Sequence, residues 1–141
     1  MNSNNTVMIK MKSIQTIDDE ANEMELITEG TYDCVDQKYT IKYEDSEATG
    51  YEGSSTSIEL DGNIASINRI GKSNSNLVIE VGKKHYCHYE TPFGDMMVGI
   101  YTHKIQNELN LSGGYLYMRY TIDINSSYIS DNEIIMNIEK I

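Results

Sequence analysis

Residues 115–124 read Tyr-Leu-Tyr-Met-Arg-Tyr-Thr-Ile-Asp-Ile. In an extended chain Leu116, Met118, Tyr120, Ile122 and Ile124 fall on one side, and Tyr115, Tyr117, Arg119, Thr121 and Asp123 on the other. A period of two is the mark of a strand with one face in a core and one in water. Past the turn cluster Asn125 to Ser127 the pattern resumes, with Ile134, Met136 and Ile138 set against Asn137 and Glu139. Two such strands joined by a short turn make an antiparallel hairpin.

The same reading extends along the rest of the chain. Turn clusters recur at Asp18-Asp19, Asp36-Gln37, Gly50 to Gly53, Asp61-Gly62, Gly71 to Asn76, Gly82 to Lys84, Thr91 to Asp95 and Asn110 to Gly114. Asp61-Gly62 is the sharpest, because both residues tolerate the positive φ of a two-residue type I′ hairpin. Strands are expected over 6–17, 22–35, 38–48, 54–61, 63–71, 76–82, 85–91, 96–109, 114–125 and 128–139. No helix is expected. Hairpins with one apolar face close economically as a sandwich or as a barrel, and only the barrel removes both edges. The expected fold is therefore all-β: an antiparallel, mostly up-and-down closed barrel of about 8–10 strands. Residues 1–5 are expected to fray, leaving 6–141 as a single domain.

Composition agrees with this reading. Ile, Val, Thr and Tyr supply 45 of the 141 residues, whereas Ala and Leu supply only 3 and 6, and β-branched and aromatic side chains suit a pleated surface. A net charge of −11 repels phosphate backbones and anionic headgroups, which argues against nucleic-acid and membrane-surface partners. No signal peptide is visible from Met1 to Lys10, so the expected compartment is the cytoplasm, with Cys34 and Cys87 reduced.

Several short motifs carry a family resemblance in their order and spacing. They are Thr28-Glu29-Gly30-Thr31-Tyr32, Tyr43-Glu44-Asp45-Ser46-Glu47 leading into Thr49-Gly50, Asn68-Arg69-Ile70-Gly71, Tyr89-Glu90-Thr91-Pro92-Phe93-Gly94 and Thr102. From Val7 to Ile138 the chain resembles the YwiB-like family, the domain of unknown function 1934. The resemblance implies a bacterial protein with a calycin-like, lipocalin-like barrel. It implies no activity, substrate or catalytic residue.

Arg69 is the most informative single residue. On a regular strand it shares a face with Ala65 and Ile67, and the chain has only one other arginine, Arg119. A guanidinium on an apolar face must find carboxylates, carbonyls or an anionic ligand. The bland readings are a bulge that turns it to solvent, or a structural pairing with Glu44 or Glu90. Eleven tyrosines with no tryptophan form the second signal, since a Tyr-lined cavity offers apolar walls with hydrogen-bonding tips. The candidate ligand-binding set is Arg69, Glu44, Tyr43, Tyr89, Thr91 and Tyr120, against the plain alternative that tyrosine is a good strand residue.

Other chemistries are weaker. His85, Cys87 and His88 superficially suggest a metal site, but His88 falls on the opposite strand face and zinc needs three or four ligands. The stretch from Asp45 lacks the Glu that a calcium loop needs at its twelfth position, which is Thr56. No GxSxG, HExxH or phosphate loop occurs. No catalytic residue, metal or cofactor is therefore assigned. The expected function is non-catalytic binding of a small molecule, one with an anionic group drawn to Arg69. The alternatives are a protein-interaction or homo-oligomeric module and, last, an enzyme acting through carboxylates such as Glu44 and Glu90.

Overall fold

The computed structural model describes residues 5–91 and 94–141, the side chains of 89–91 excepted. Ten strands follow one another: β1 (Thr6–Ile17), β2 (Glu20–Val35), β3 (Lys38–Glu44), β4 (Ser54–Asp61), β5 (Ile64–Gly71), β6 (Ser75–Glu80), β7 (Lys84–Thr91), β8 (Gly94–Asn110), β9 (Gly113–Ile124) and β10 (Ser127–Lys140). Each pairs antiparallel with its successor, and β10 returns to β1 to close the ring. No helix is present among the described residues, and so none that could cross a membrane.

Turn chemistry sets the hairpins. Asp18 and Asp19, Asp36 and Gln37, and Asn125 and Ser126 all have positive φ and sit between paired residues, as in Ile17↔Glu20. These are three two-residue connections of type I′ backbone sense, built without glycine. The Asp61-Gly62 turn differs from expectation. Asp61 is the last paired residue of β4, facing Ile64, so Gly62 and Asn63 are the central residues. Only Gly62 has positive φ, at 65°, the pattern of type II′ with glycine first. The cause is the register, in which Leu60 opposes Ala65 and Ile58 opposes Ile67. A turn centred on Asp61-Gly62 would slide the pairing by two residues, keeping the same faces inward but setting buried Leu60 against polar Asn63 in place of Ala65.

Inward positions from every side of the ring make one core, including Ile9, Ile41, Ile58, Leu60, Ile79, Ile100, Leu116, Met118 and Met136. At one end Tyr32 stacks on Tyr39 with ring centres 6.0 Å apart and donates its hydroxyl to the Asn110 carbonyl at 2.7 Å. Toward the other end the inward face turns polar. On β1 it runs Val7, Ile9, Met11, then Ser13 and Gln15; on β10 it runs Ile138, Met136, Ile134, then Asn132 and Ser130. The two gradients lie side by side, Ile9 facing Ile138 and Gln15 facing Asn132. A filled base and an open polar mouth follow.

One seam is thin. Among the described residues β6 and β7 share a single ladder pair, Ser75↔Tyr89, and side chains bridge the rest. The Val78 amide donates to Cys87 Sγ at 3.3 Å, and His85 Nε2 lies 2.9 Å from Glu80 Oε1.

Of the expected fraying segment only Asn5 is described. Its side chain donates to Asp33 Oδ1 at 3.0 Å, and its carbonyl accepts the Tyr32 amide at 2.9 Å.

Candidate functional site

The polar mouth holds a cavity of about 330 Å³, walled by Met11, Met24, Ile58, Ile67, Leu77, Ile122 and Ile134 and edged by Gln15, Asn22, Glu23 and Asn132. Gln15 donates to Asn132 Oδ1 at 3.3 Å, and Asn132 donates to Ser130 Oγ at 3.0 Å. Tyr43, Tyr120 and Arg69 reach in from β3, β9 and β5, and Thr49 and Tyr51 from the β3–β4 loop.

Arg69 does point inward, with its side chain 15% exposed, and its partner is Asp45 rather than Glu44, while the side chain of Glu90 lies outside the described residues. Nε donates to Asp45 Oδ2 at 3.3 Å and to Thr56 Oγ1 at 3.2 Å, and the Thr56 hydroxyl donates to the same Asp45 oxygen at 2.8 Å. Register explains the set, because Tyr43 faces Thr56 on β4 and Thr56 faces Arg69 on β5. The ring of Tyr51 covers the guanidinium, with Cζ 3.7 Å from its centroid. Such a stack adds roughly 0.5–2 kcal/mol depending on how dry it is.

Glu44 is a correction. It is exposed and accepts the Ser55 hydroxyl at 2.6 Å, away from the cavity. Alternation is the reason: Ile41 and Tyr43 point in, Glu44 points out, and the next inward position is Asp45, which is fully buried. Asp45 and Tyr51 are thus the residues that sequence reasoning missed. Continuing the period of two by one step past Glu44 finds the first, whereas Tyr51 sits in a loop and has no period to reveal it.

Tyr120 and Tyr43 line the cavity as expected. The Tyr120 hydroxyl has no hydrogen-bond partner among the described residues, although the residue is 7% exposed. Burial pushes its pKa up to about 12, with Arg69 opposing the shift. Tyr43 donates weakly to Met11 Sδ at 3.8 Å. Burial and then the Asp45 charge push its pKa up, again against Arg69. Tyr89 and Thr91 have backbones on β7, where Tyr89 pairs with Ser75 and with Met96; their side chains lie outside the described residues. Among the described residues no three His, Cys, Asp or Glu side chains converge as a metal site. His85 pairs with Glu80, Cys87 is buried at the seam, and His88 lies 3.7 Å from Asp95.

The molecule is therefore a ten-stranded antiparallel closed barrel whose mouth combines an apolar wall with a buried Arg–Asp pair. The family model described as a domain of unknown function, DUF1934, matches residues 9–136, and the chain belongs to that family. The ywiB protein from Bacillus subtilis, known from a crystal structure, shares the fold with a TM-score of 0.78 at 18% identity. The alignment covers 94% of this chain and 91% of that one. No curated protein matches the chain.

Proposed function

We propose that this barrel holds a small molecule in its mouth without converting it. The observation that carries this reading is Tyr120. Its hydroxyl opens on the cavity and makes no hydrogen bond to a described residue, so it is available to a bound molecule while the ring is nine-tenths buried. The cavity volume lies at the lower end of the range for small-molecule sites. Calycin-like barrels, the kind implied by the sequence resemblance, enclose ligands at the same place, which supports the reading by analogy of fold alone. Mass spectrometry of the natively purified protein tests it. The expected result is an added mass that is lost on denaturation and diminished in Tyr120→Phe. A bare mass, with no thermal shift from any fraction of a metabolite extract, would overturn the proposal.

A second reading, a docking module, draws on the outer face of β7–β10. Tyr86, Met97 and Tyr128 are largely exposed there, and Tyr86 and Tyr128 lie in one cross-strand row through Gly99 and Asp123. Sedimentation that gives a concentration-independent monomer would count against self-association through this face.

A further inference from the structure

The charges at the mouth cancel, and this bears on what the mouth can hold. Among the described residues lining the cavity the charged ones are Arg69 and Glu23. Glu23 pairs with Lys12 at 3.0 Å on the rim. Arg69 is matched by the fully buried Asp45, whose second oxygen, Oδ1, has no hydrogen-bond partner in the structure. Asp45 thus has Arg69 as its one cationic partner among the described residues, and the guanidinium charge is already offset before a ligand arrives.

The hydrogen-bonding capacity is not offset. Arg69 gives its Nε hydrogen to Asp45 and Thr56 and its guanidinium also reaches the Tyr43 hydroxyl, which leaves N–H hydrogens of Nη1 and Nη2 to spare. The Tyr120 hydroxyl makes no hydrogen bond to a described residue, whereas the Tyr43 hydroxyl is shared among Met11 Sδ, Thr56 and Arg69. These groups line the same cavity. The mouth therefore offers several N–H and O–H donors with no surplus positive charge, above apolar walls from Ile58, Ile67, Ile122 and Ile134. An anionic head would place an unbalanced negative charge beside the buried Asp45 carboxylate, in a partly enclosed site of a chain whose net charge is −11. That desolvation is costly without a counter-charge. A carbonyl oxygen accepts the same hydrogen bonds and carries no charge to bury.

Building on the proposed binding mouth, we infer that its ligand class is a small amphiphile with an uncharged acceptor head, such as a carboxamide or ester, and that anions are disfavoured. Arg69 and Tyr120 hold the carbonyl oxygen, and the apolar walls take the body.

The test uses the full chain carrying ¹³C-labelled isoleucine methyls, titrated at neutral pH with octanamide and, separately, with sodium octanoate. Octanamide is expected to shift the methyls of Ile58, Ile67, Ile122 and Ile134 and to bind about tenfold more tightly than octanoate. Asp45→Asn, which leaves the Arg69 charge unopposed, is expected to reverse the order. Tyr120→Phe serves if that variant does not fold, and is expected to weaken octanamide binding by about tenfold. Octanoate binding as tightly as octanamide, or more tightly, at the same methyls overturns the head-group assignment and leaves the binding mouth standing. If neither probe moves these methyls, the head-group assignment fails as well, and the mouth is then judged by the co-purifying mass alone.

Discussion

Arg69 Nε lies 3.3 Å from Asp45 Oδ2, so β5 fastens the point at which the β3–β4 loop leaves the barrel. The same guanidinium carries Tyr51 on its face at the other end of that loop. One side chain thus holds a nine-residue connection, 45–53, over the edge of the cavity. The loop's own bonds keep it compact, Thr49 N donating to Ser46 O and Ser54 N to Tyr51 O, both at 3.1 Å.

Arg69→Met removes the guanidinium and leaves a buried carboxylate with only the Thr56 hydroxyl. Breaking a buried pair by deleting one partner costs about 3–5 kcal/mol. Urea unfolding of the variant is expected to show a loss of that order, and Arg69→Met with Asp45→Asn is expected to recover much of it. A single variant within about 0.5 kcal/mol of the parent would remove the pair from any structural role.

Tyr120→Phe behaves in the opposite way. Its hydroxyl gains no internal hydrogen bond, so the unliganded protein is expected to keep its stability within about 0.5 kcal/mol or to gain slightly. A loss beyond about 1.5 kcal/mol in denaturant titration would mean that the hydroxyl has a structural partner.

Alkaline stability follows from two phenols with raised pKa values, the buried Tyr120 and the half-buried Tyr117. Tyr120 is shifted to about 12 by burial, and Tyr117 to about 12 by burial and by its bond to Glu133. For a phenol whose folded pKa is raised, the unfolded chain holds fewer protons between the two values. The stabilising contribution is therefore complete below the ordinary value near 10 and declines as pH rises toward about 12. Unfolding free energy should fall across that window, and Tyr120→Phe should flatten the fall. A pH-independent stability there would contradict the raised pKa of these hydroxyls.

Gly62→Val tests the hairpin between β4 and β5. At a φ of 65° a β-branched side chain is strained, and the variant is expected to lose about 1–3 kcal/mol. An unchanged melting temperature would mean that the turn relaxes at no cost.

Cys34 and Cys87 are both free thiols, the first half-buried and the second buried. Burial pushes the Cys87 thiol pKa up, which lowers its reactivity further. In the folded protein a thiol reagent should modify Cys34 and reach Cys87 only when the β6–β7 seam opens. Equal rates at the two positions would show that the seam stands open.

Much of this architecture can be read from single-strand patterns. The alternation through Leu116, Met118 and Tyr120 and the turn clusters between strands define the meander, because each strand buries only one face and each hairpin is local. Arg69 could be set inward from Ala65 and Ile67 alone. Its partner could not be chosen so simply: Asp45 lies 24 positions away, and its neighbour Glu44 and the comparably distant Glu90 offer the same chemistry. Only the parity of β3, carried past its last paired residue, separates Asp45 from Glu44. Tyr51 reaches the guanidinium through a loop conformation that no periodicity encodes. The Asp61-Gly62 turn was displaced by one residue because inward packing of Leu60 and Ala65 outweighs local turn preference.

The closing pairing of β1 with β10 joins Val7 to Lys140. During synthesis on a ribosome every hairpin from β1 to β9 can form as it emerges, yet β1 and β9 each keep a bare edge until β10 arrives. The nascent chain is thus an open sheet until β10 emerges, and its exposed edges are the ones through which sheets join to neighbours. The ring is completed by a contact of very long sequence separation, the kind that slows folding most. A stalled or truncated product lacking β10 would be a sticky half-barrel, and cells expressing it would meet it as a problem for chaperones.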